Sequence, residues 1–468
     1  MTVAPVPLLM LTSASDDEQR LIDQMAYRLG MLEASNRLKL AYYEGTQTVE
    51  QLGIAIPPNL SNVRTVVGWG GSVVDVLEER LDWFGWASDA DDFGLGGIYA
   101  DNELDVESSR AHLDALIYGT GFVVVGSGAE DEPSPLVTMH SPLGLTGLYN
   151  ARTRRLDAAL AVTNGGSPDV SGQVTLYLPN QTVYFERRAV NNQLVLVERD
   201  EHGLGRVPVV QFENRARNDV VGRSEITPAV RSYTDQAVRT MLAMEIHREF
   251  YQAPQRYALG VEPSDFVGPD GVARSGWETI MGRVWAIGRN EDGELPQVGQ
   301  FTPASPTPYL EQVKGLAQLL AAEAGIPSAY LGFQTDNPAS ADAIRAGEAR
   351  LVKRAERRQA TFARSWLEVG RLALLVRDGE VPDGFTGLSA MNWRDAATPT
   401  RAAAADEATK LIASGVLPAD STVTYNRLGL SPTEQRQLAA DKRRANGAGV
   451  LQVLQEAAAQ QVAADAGA

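Results

Sequence analysis

The chain has 468 residues, 44% hydrophobic and 22% charged, ample for two or three packed units. It has no cysteine, which excludes disulfides and thiolate metal sites and makes a reducing cytoplasm the default place of assembly. Its net charge of −17 argues against a sequence-specific DNA binder, because neutralised phosphates supply most of such a protein's affinity and leave a basic footprint.

The apolar N-terminal patch, Pro5 to Leu11, lacks preceding basic residues and is cut short by Thr12 and Ser13, so it is not a signal peptide. Ser15 and Glu18 make a capping box, and Leu21, Ile22, Met25, Leu29 and Leu32 follow at helical spacing. A second helix is predicted from about Asn62 to Trp83, weakened by Gly68, Gly70 and Gly71. A third runs from about Asp105 to Tyr118 and gives way at Gly119-Thr120-Gly121 to a buried strand, Phe122 to Val125. From there to about Phe212 the period falls to two. Strands are predicted at Leu136 to Met139, Leu156 to Val162, Val174 to Leu178, Val183 to Phe185, Leu194 to Val197 and Val207 to Phe212, an antiparallel region.

Helix returns after Gly222, with Thr227 as cap and Pro228 at the first helical position, and extends to about Gln252. Val230, Tyr233, Ala237, Met241 and Met244 form one stripe; Val238, Leu242, Ile246 and Phe250 form another beside it. A helix with two apolar flanks packs between neighbours, which makes Met241, Leu242 and Ile246 candidates for a subunit interface. A Gly/Pro-rich block, Ala253 to Pro303, holds short strand candidates such as Arg283 to Ile287. A helix from about Pro308 to Ala324 ends at Gly325. The segment Gly332 to Ala339 has loop chemistry, and Ser340 caps the longest helix, which continues to Asp378. Straight, it would extend about 57 Å. Ala-rich helices finish the chain, the last opened by a capping box at Ser431-Pro432-Thr433-Glu434.

Charge follows this order unevenly. Met1 to Arg110 carries 7 Lys/Arg against 18 Asp/Glu, whereas Ser340 to Asp378 carries 9 against 5. Arg350, Lys353, Arg354, Arg357 and Arg358 spread over much of their helix, so pairing with acidic neighbours in an assembly explains them better than a DNA track does. Arg354 and Arg358 therefore join the interface candidates.

Catalytic signatures are missing. No G-x-x-x-x-G-K-[ST] cradles phosphates, and His112, His140, His202 and His247 are scattered without ligand spacing. Asp89-Ala90-Asp91-Asp92-Phe93-Gly94 begins like a calcium loop but places Phe93 at a ligand position and Ala100 where a bidentate Glu belongs; it reads as a solvated acidic turn. Gly119-Thr120-Gly121 with Gly126 falls short of a dinucleotide fingerprint. No cofactor or metal is expected.

The order of elements, and the wording of LKLAYYEG (Leu38 to Gly45), VVDVLEERLDWFGW (Val73 to Trp86), GRSEITPAVRSYTDQAVRTM (Gly222 to Met241) and GIPSAYLGFQTDNPASADAIRAGEA (Gly325 to Ala349), resemble the portal proteins of tailed bacteriophages. The likeness is to the SPP1-type branch that includes many phages of actinobacteria. It implies an α+β portal fold. The wing would take residues 1–225 and 326–399, the stem helices 226–252 and 305–325, the clip 253–304 and the crown 400–468. Phe333, Gln334, Thr335, Asp336 and Asn337 would lie in a tunnel loop facing double-stranded DNA, the lesser alternative being a loop that merely joins two helices. It also implies a homo-oligomeric ring of roughly twelve at a capsid vertex. Its partners would be the major capsid protein, the terminase motor and a head–tail adaptor, with no membrane. Another virion structural protein is the alternative, and a phage nuclease a more distant one.

Overall fold

The computed structural model describes residues 11–12, 14–49, 65–87, 92–163, 172–187, 194–218, 221–252, 256–260, 267, 271, 289, 293, 295–302, 305–333, 340–385, 390–397, 401–430, 434–435 and 437–445. The chain divides into two units: Met1–Leu40, Val74–Glu225 and Ser340–Ala468 form unit 1, and Ala41–Val73 with Ile226–Ala339 form unit 2.

Helix α1, Asp16–Tyr43, starts on the capping box read from sequence. The Ser15 N–H donates to Glu18 Oε2 at 2.9 Å, and the Glu18 N–H donates to Ser15 Oγ at 3.3 Å. Arg199 then closes on Glu18 at 2.5 and 2.8 Å. This ion pair, with the Ser15 hydrogen bonds, overcomes burial and holds the carboxyl down at about 2. Ile22 and Met25 lie beneath α1 against one face of a sheet.

That sheet has six strands in the order β1-β9-β8-β7-β6-β5. In chain order they are β1 (Leu11–Thr12), β5 (Leu145–Asn150), β6 (Arg155–Thr163), β7 (Gly172–Tyr177), β8 (Thr182–Arg187) and β9 (Leu194–Asp200). All pairs are antiparallel except β1–β9. Alternation along β6 places Ala158 and Leu160 under α1, while Ala159 and Ala161, joined by Leu156 across a bulge in the β5–β6 register, pack with Phe122, Val124, Val207 and Val209. The latter residues come from or adjoin β3 (Thr120–Gly126) and β10 (Val209–Glu213), which join β4 (Leu136–His140) in a three-stranded sheet, order β10-β3-β4. Strand β5 escaped sequence reading because Thr146 and Gly147 break its apolar run.

The helix predicted from Asn62 to Trp83 is much shorter. Helix α2 covers Trp69–Glu78, and Trp83–Ala87 is a strand, β2, paired with β13, Ala390–Trp393. The pairing partner lies some 300 residues away, so no local pattern could announce it. Helices α3 (Leu95–Asp101) and α4 (Leu104–Tyr118) follow. The Asp92 carboxylate accepts from the N–H groups of Gly94 at 3.0 Å and Gly96 at 3.2 Å, so the acidic turn starts a helix. Gly119-Thr120-Gly121 joins α4 to β3 at close quarters: Gly119 has φ +102°, and a Cβ on Gly121 would meet the Ala111 carbonyl oxygen at 2.6 Å.

Unit 2 is built on α5 (Pro228–Gln252) and α6 (Thr307–Ala324), which pack against each other. Both predicted ends hold: Thr227 Oγ1 accepts from the Val230 N–H at 3.3 Å, and Gly325 closes α6 with φ +67°. Between them β11 (Arg256–Leu259) pairs antiparallel with β12 (Gln297–Gln300). The strand predicted at Arg283 to Ile287 lies outside the described residues.

In unit 1, α7 runs 38 residues, Ala341–Asp378, directly after Ser340. Helices α8 (Arg401–Ala413) and α9 (Thr422–Arg427) follow, and among the described residues 434–435 and 437–445 are helical as well. Ser431, Pro432 and Thr433 of the predicted capping box lie outside the described residues.

Candidate functional site

Helix α7 carries two inward faces. Its second half inserts Phe362 and Trp366, both fully buried, into an aromatic cluster. Trp366 stacks on Trp83 at 3.9 Å between ring centres, and Phe362 stacks on His112 at 5.1 Å. Trp366 Nε1 donates to His112 Nε2 at 3.0 Å, so the imidazole is neutral with its proton on Nδ1. Burial pushes His112 down to about 3. This histidine is a packing residue with one polar handle.

The first half of α7 presents Arg354 and Arg358, one turn apart on the same face, to Glu225. Arg358 Nη2 reaches Glu225 Oε1 at 2.6 Å, Arg354 Nη2 bonds Glu225 Oε2, and Arg215 Nη1 lies 3.3 Å from that oxygen. Asn214 completes the cluster, donating to Glu225 Oε1 at 3.1 Å and accepting from Arg358 Nε at 2.9 Å. Glu225 is 1% exposed. Burial raises its pKa, but the three arginines more than offset this and leave it lowered. Arg354 and Arg358 thus find their counter-charge inside their own chain. The sequence points to acidic neighbours in an assembly; the acid lies instead in the same chain, 129 residues from Arg354, beyond the reach of any local pattern.

On α5, Leu242 is 4% exposed and belongs to the face packed within its own chain, with Val238. It is therefore not available to a neighbour. Met241 and Ile246 are half-buried. The α5–α6 pair also buries Val313, Leu316, Ala317 and Leu320. The Thr227 hydroxyl donates to Glu323 at 3.3 Å, and Tyr42 donates to the Asp235 carboxylate at 2.7 Å, which with burial raises the phenol above its usual range. Outside this packed seam Leu310 and Leu319 stay 53% exposed, and Leu259 of β11, Val298 of β12 and the adjoining Phe301 are more than half exposed. Of the loop candidates, Phe333 is described and half-buried, next to Gly332 at φ +88°. Gln334, Thr335, Asp336 and Asn337 lie outside the described residues. Among the described residues no group of three His, Asp or Glu side chains is placed to hold a metal ion, and no helix is long and apolar enough to cross a membrane.

The family described as "Phage portal protein, SPP1 Gp6-like" matches residues 39–448. The chain belongs to that portal family. The portal protein of Mycobacterium phage D29 is 32% identical over 434 residues, 90% of this chain and 88% of that one. The portal protein of Mycobacterium phage L5 is 30% identical over 430 residues, 89% and 87% of the two chains. A chain from a solved structure described as the neck of a native GTA particle computed with C12 symmetry is 14% identical, with a TM-score of 0.37, over 81% of this chain and 95% of that one. This is a phage portal protein of mixed helix and antiparallel sheet, the α+β class expected from its sequence.

Glu225, Asn214 and Arg215 are cluster members that the sequence does not single out; for the buried acid Glu225 some local signal exists. The one available signal was its place in the segment Gly222 to Met241, where an acid stands beside an otherwise apolar helix start.

Proposed function

We propose that this portal protein closes into a ring of about twelve copies at one capsid vertex and forms the conduit for DNA packaging and ejection. Family membership supports this reading. So does the α5–α6 pair, whose outer residues Met241, Ile246, Leu310 and Leu319 are left partly or largely uncovered on either side of the 253–304 block. In this reading α5 and α6 are the stem helices, 253–304 the clip, 1–225 and 326–399 the wing, 400–468 the crown and 332–339 the tunnel loop. The clip would dock the terminase motor and then the head–tail adaptor, while the capsid protein surrounds the ring. About −17 per copy gives roughly −200 per ring, a wall that repels phosphate and lets DNA slide.

End-on negative-stain images of the purified protein should show rings with a central hole, and mass photometry should show particles of roughly 600 kDa for twelve 50.4 kDa chains. Monomers and dimers alone, across conditions, would count against the ring. The chain is read as having no catalytic activity of its own; ATP turnover near about 1 s⁻¹ in a clean preparation would refute that. Replacing Gln334, Thr335 and Asn337 by alanine should leave rings intact and reduce DNA packaging or retention in assembled heads.

A further inference from the structure

Unit 1 contains a recess of about 390 Å³ beside the edge strand β10, lined by Arg154, Arg155, Arg206 and Arg364 among other residues. Its acids do not balance these cations. Glu368 is shared by three guanidinium groups: Arg206 at 2.5 Å, Arg371 at 3.3 Å and Arg155 at 3.8 Å. Asp157 accepts from Asn150 at 3.0 and 3.2 Å. Burial pushes Glu213 up, toward its neutral form. Arg154 and Arg364 are exposed, and neither guanidinium has a hydrogen-bond or ion-pair partner among the described residues.

The other edge of the same sheet has the opposite character. In the order β10-β3-β4, the β3–β4 connection exposes Glu130, Asp131 and Glu132. Beside β4, exposed Asp101 and Glu103 flank Asn102, which donates to the Pro135 carbonyl at 3.0 Å and accepts from the Val137 N–H at 2.8 Å. Among the described residues none of these five acids has an ion-pair partner.

A head-to-tail ring needs two unlike, complementary surfaces on each copy, because each copy offers one to either neighbour. We propose that the arginine recess at the β10 edge of one copy receives the acidic β3–β4 edge of the next. This rests on the ring reading above and adds its polarity to it. A chain at −17 repels its own copies, so a closed ring gains from bringing its few uncompensated cations against its uncompensated acids. The ring also presents that acidic edge at high effective concentration, which favours it over a free anion competing for the recess.

The test uses the full-length protein and four variants in mass photometry over a salt series. Arg154→Glu with Arg364→Glu should raise the concentration needed for ring assembly by about tenfold or more, as should Glu130→Lys with Asp131→Lys and Glu132→Lys. Combining both sets should restore much of the assembly, which neither loss of folding nor general charge effects would produce. Arg154→Gln with Arg364→Gln, at exposed positions, should keep the parent thermal midpoint and still weaken assembly. Rings from every variant at the parent concentration overturn the proposal, and so does a combined variant no better than its parts. A recess that binds inorganic phosphate while all variants assemble normally overturns it in favour of an anion site. A parent chain that never forms rings refutes the ring reading as well, a result distinct from parent rings with unaffected variants.

Discussion

Units 1 and 2 meet the needs of their side chains in different ways. In unit 1, Trp366 stacks on Trp83 and donates to His112, and Glu225 gathers Arg215, Arg354 and Arg358 in a buried cluster. Most of what is costly to leave alone there is answered within the chain. Unit 2 buries one seam, between α5 and α6, and leaves Leu310, Leu319, Val298 and Phe301 more than half exposed. Unit 1 also leaves Tyr27, Met31, Val106 and Val197 more than 60% exposed, so the difference between the units lies in the buried polar clusters and not in apolar exposure. Unit 1 thus answers its buried charges within the chain, and in unit 2 the exposed side chains of α6 are the place to look for a gain on assembly.

The largest effect is expected at Glu225. Glu225→Ala strands three arginines around a buried site without counter-charge and should cost about 3–5 kcal/mol in urea unfolding. A loss under about 1 kcal/mol would mean water already reaches the cluster. Next comes Gly222→Ala. A Cβ there would lie 2.0 Å from the Gly119 carbonyl oxygen, backbone against backbone, so the variant should lose about 1–3 kcal/mol or shift that junction, read as a lowered thermal midpoint.

One buried group, His112, and two half-buried ones, Asp114 and Glu78, set opposing pH dependences in unit 1. His112 sits at about 3 instead of 6.5, so between those values the unfolded chain holds the extra proton and stability rises with pH. Burial lifts Asp114 from 3.8 and Glu78 from 4.5 to about 7, so there the folded chain holds the extra protons and stability falls as pH rises. From pH 4.5 to 6.5 the two acids outweigh the one histidine. Asp114→Asn should therefore make the slope of unfolding free energy with pH less negative by up to about 1.4 kcal/mol per pH unit, and His112→Gln should make it more negative by a similar amount. Matching slopes in variant and parent would show that these groups titrate alike in both states.

The smallest effect on the isolated chain is expected in unit 2. Leu319→Glu, at a half-exposed position, should change monomer stability by no more than about 0.5 kcal/mol. Its effect should appear in ring assembly instead. If Leu319→Glu destabilises the monomer and leaves rings intact, the contrast between the units is reversed.

Local chemistry made much of the fold legible. The Ser15–Glu18 box, the Thr227 cap, the Gly119 and Gly325 helix ends and the length of α7 each depend on residues within one turn of each other, so they are written where they act. Reading failed where a partner is remote. The helix expected to reach Trp83 ends at Glu78 and Trp83 pairs with β13 instead, and Leu242, expected at an interface, is covered by its own chain.

The same division holds for the candidate sites. From sequence alone came the portal resemblance, the absence of a phosphate-cradling loop, and the expectation that Arg354 and Arg358 would be paired and not free for DNA. Tertiary structure chose the partner, Glu225, and gathered Arg154, Arg206 and Arg364 from three distant segments into one recess. The physical reason is that helix caps and periodicities are decided by neighbours along the chain. Charge pairing and burial are decided by neighbours in space, and in this chain those lie tens to hundreds of residues apart.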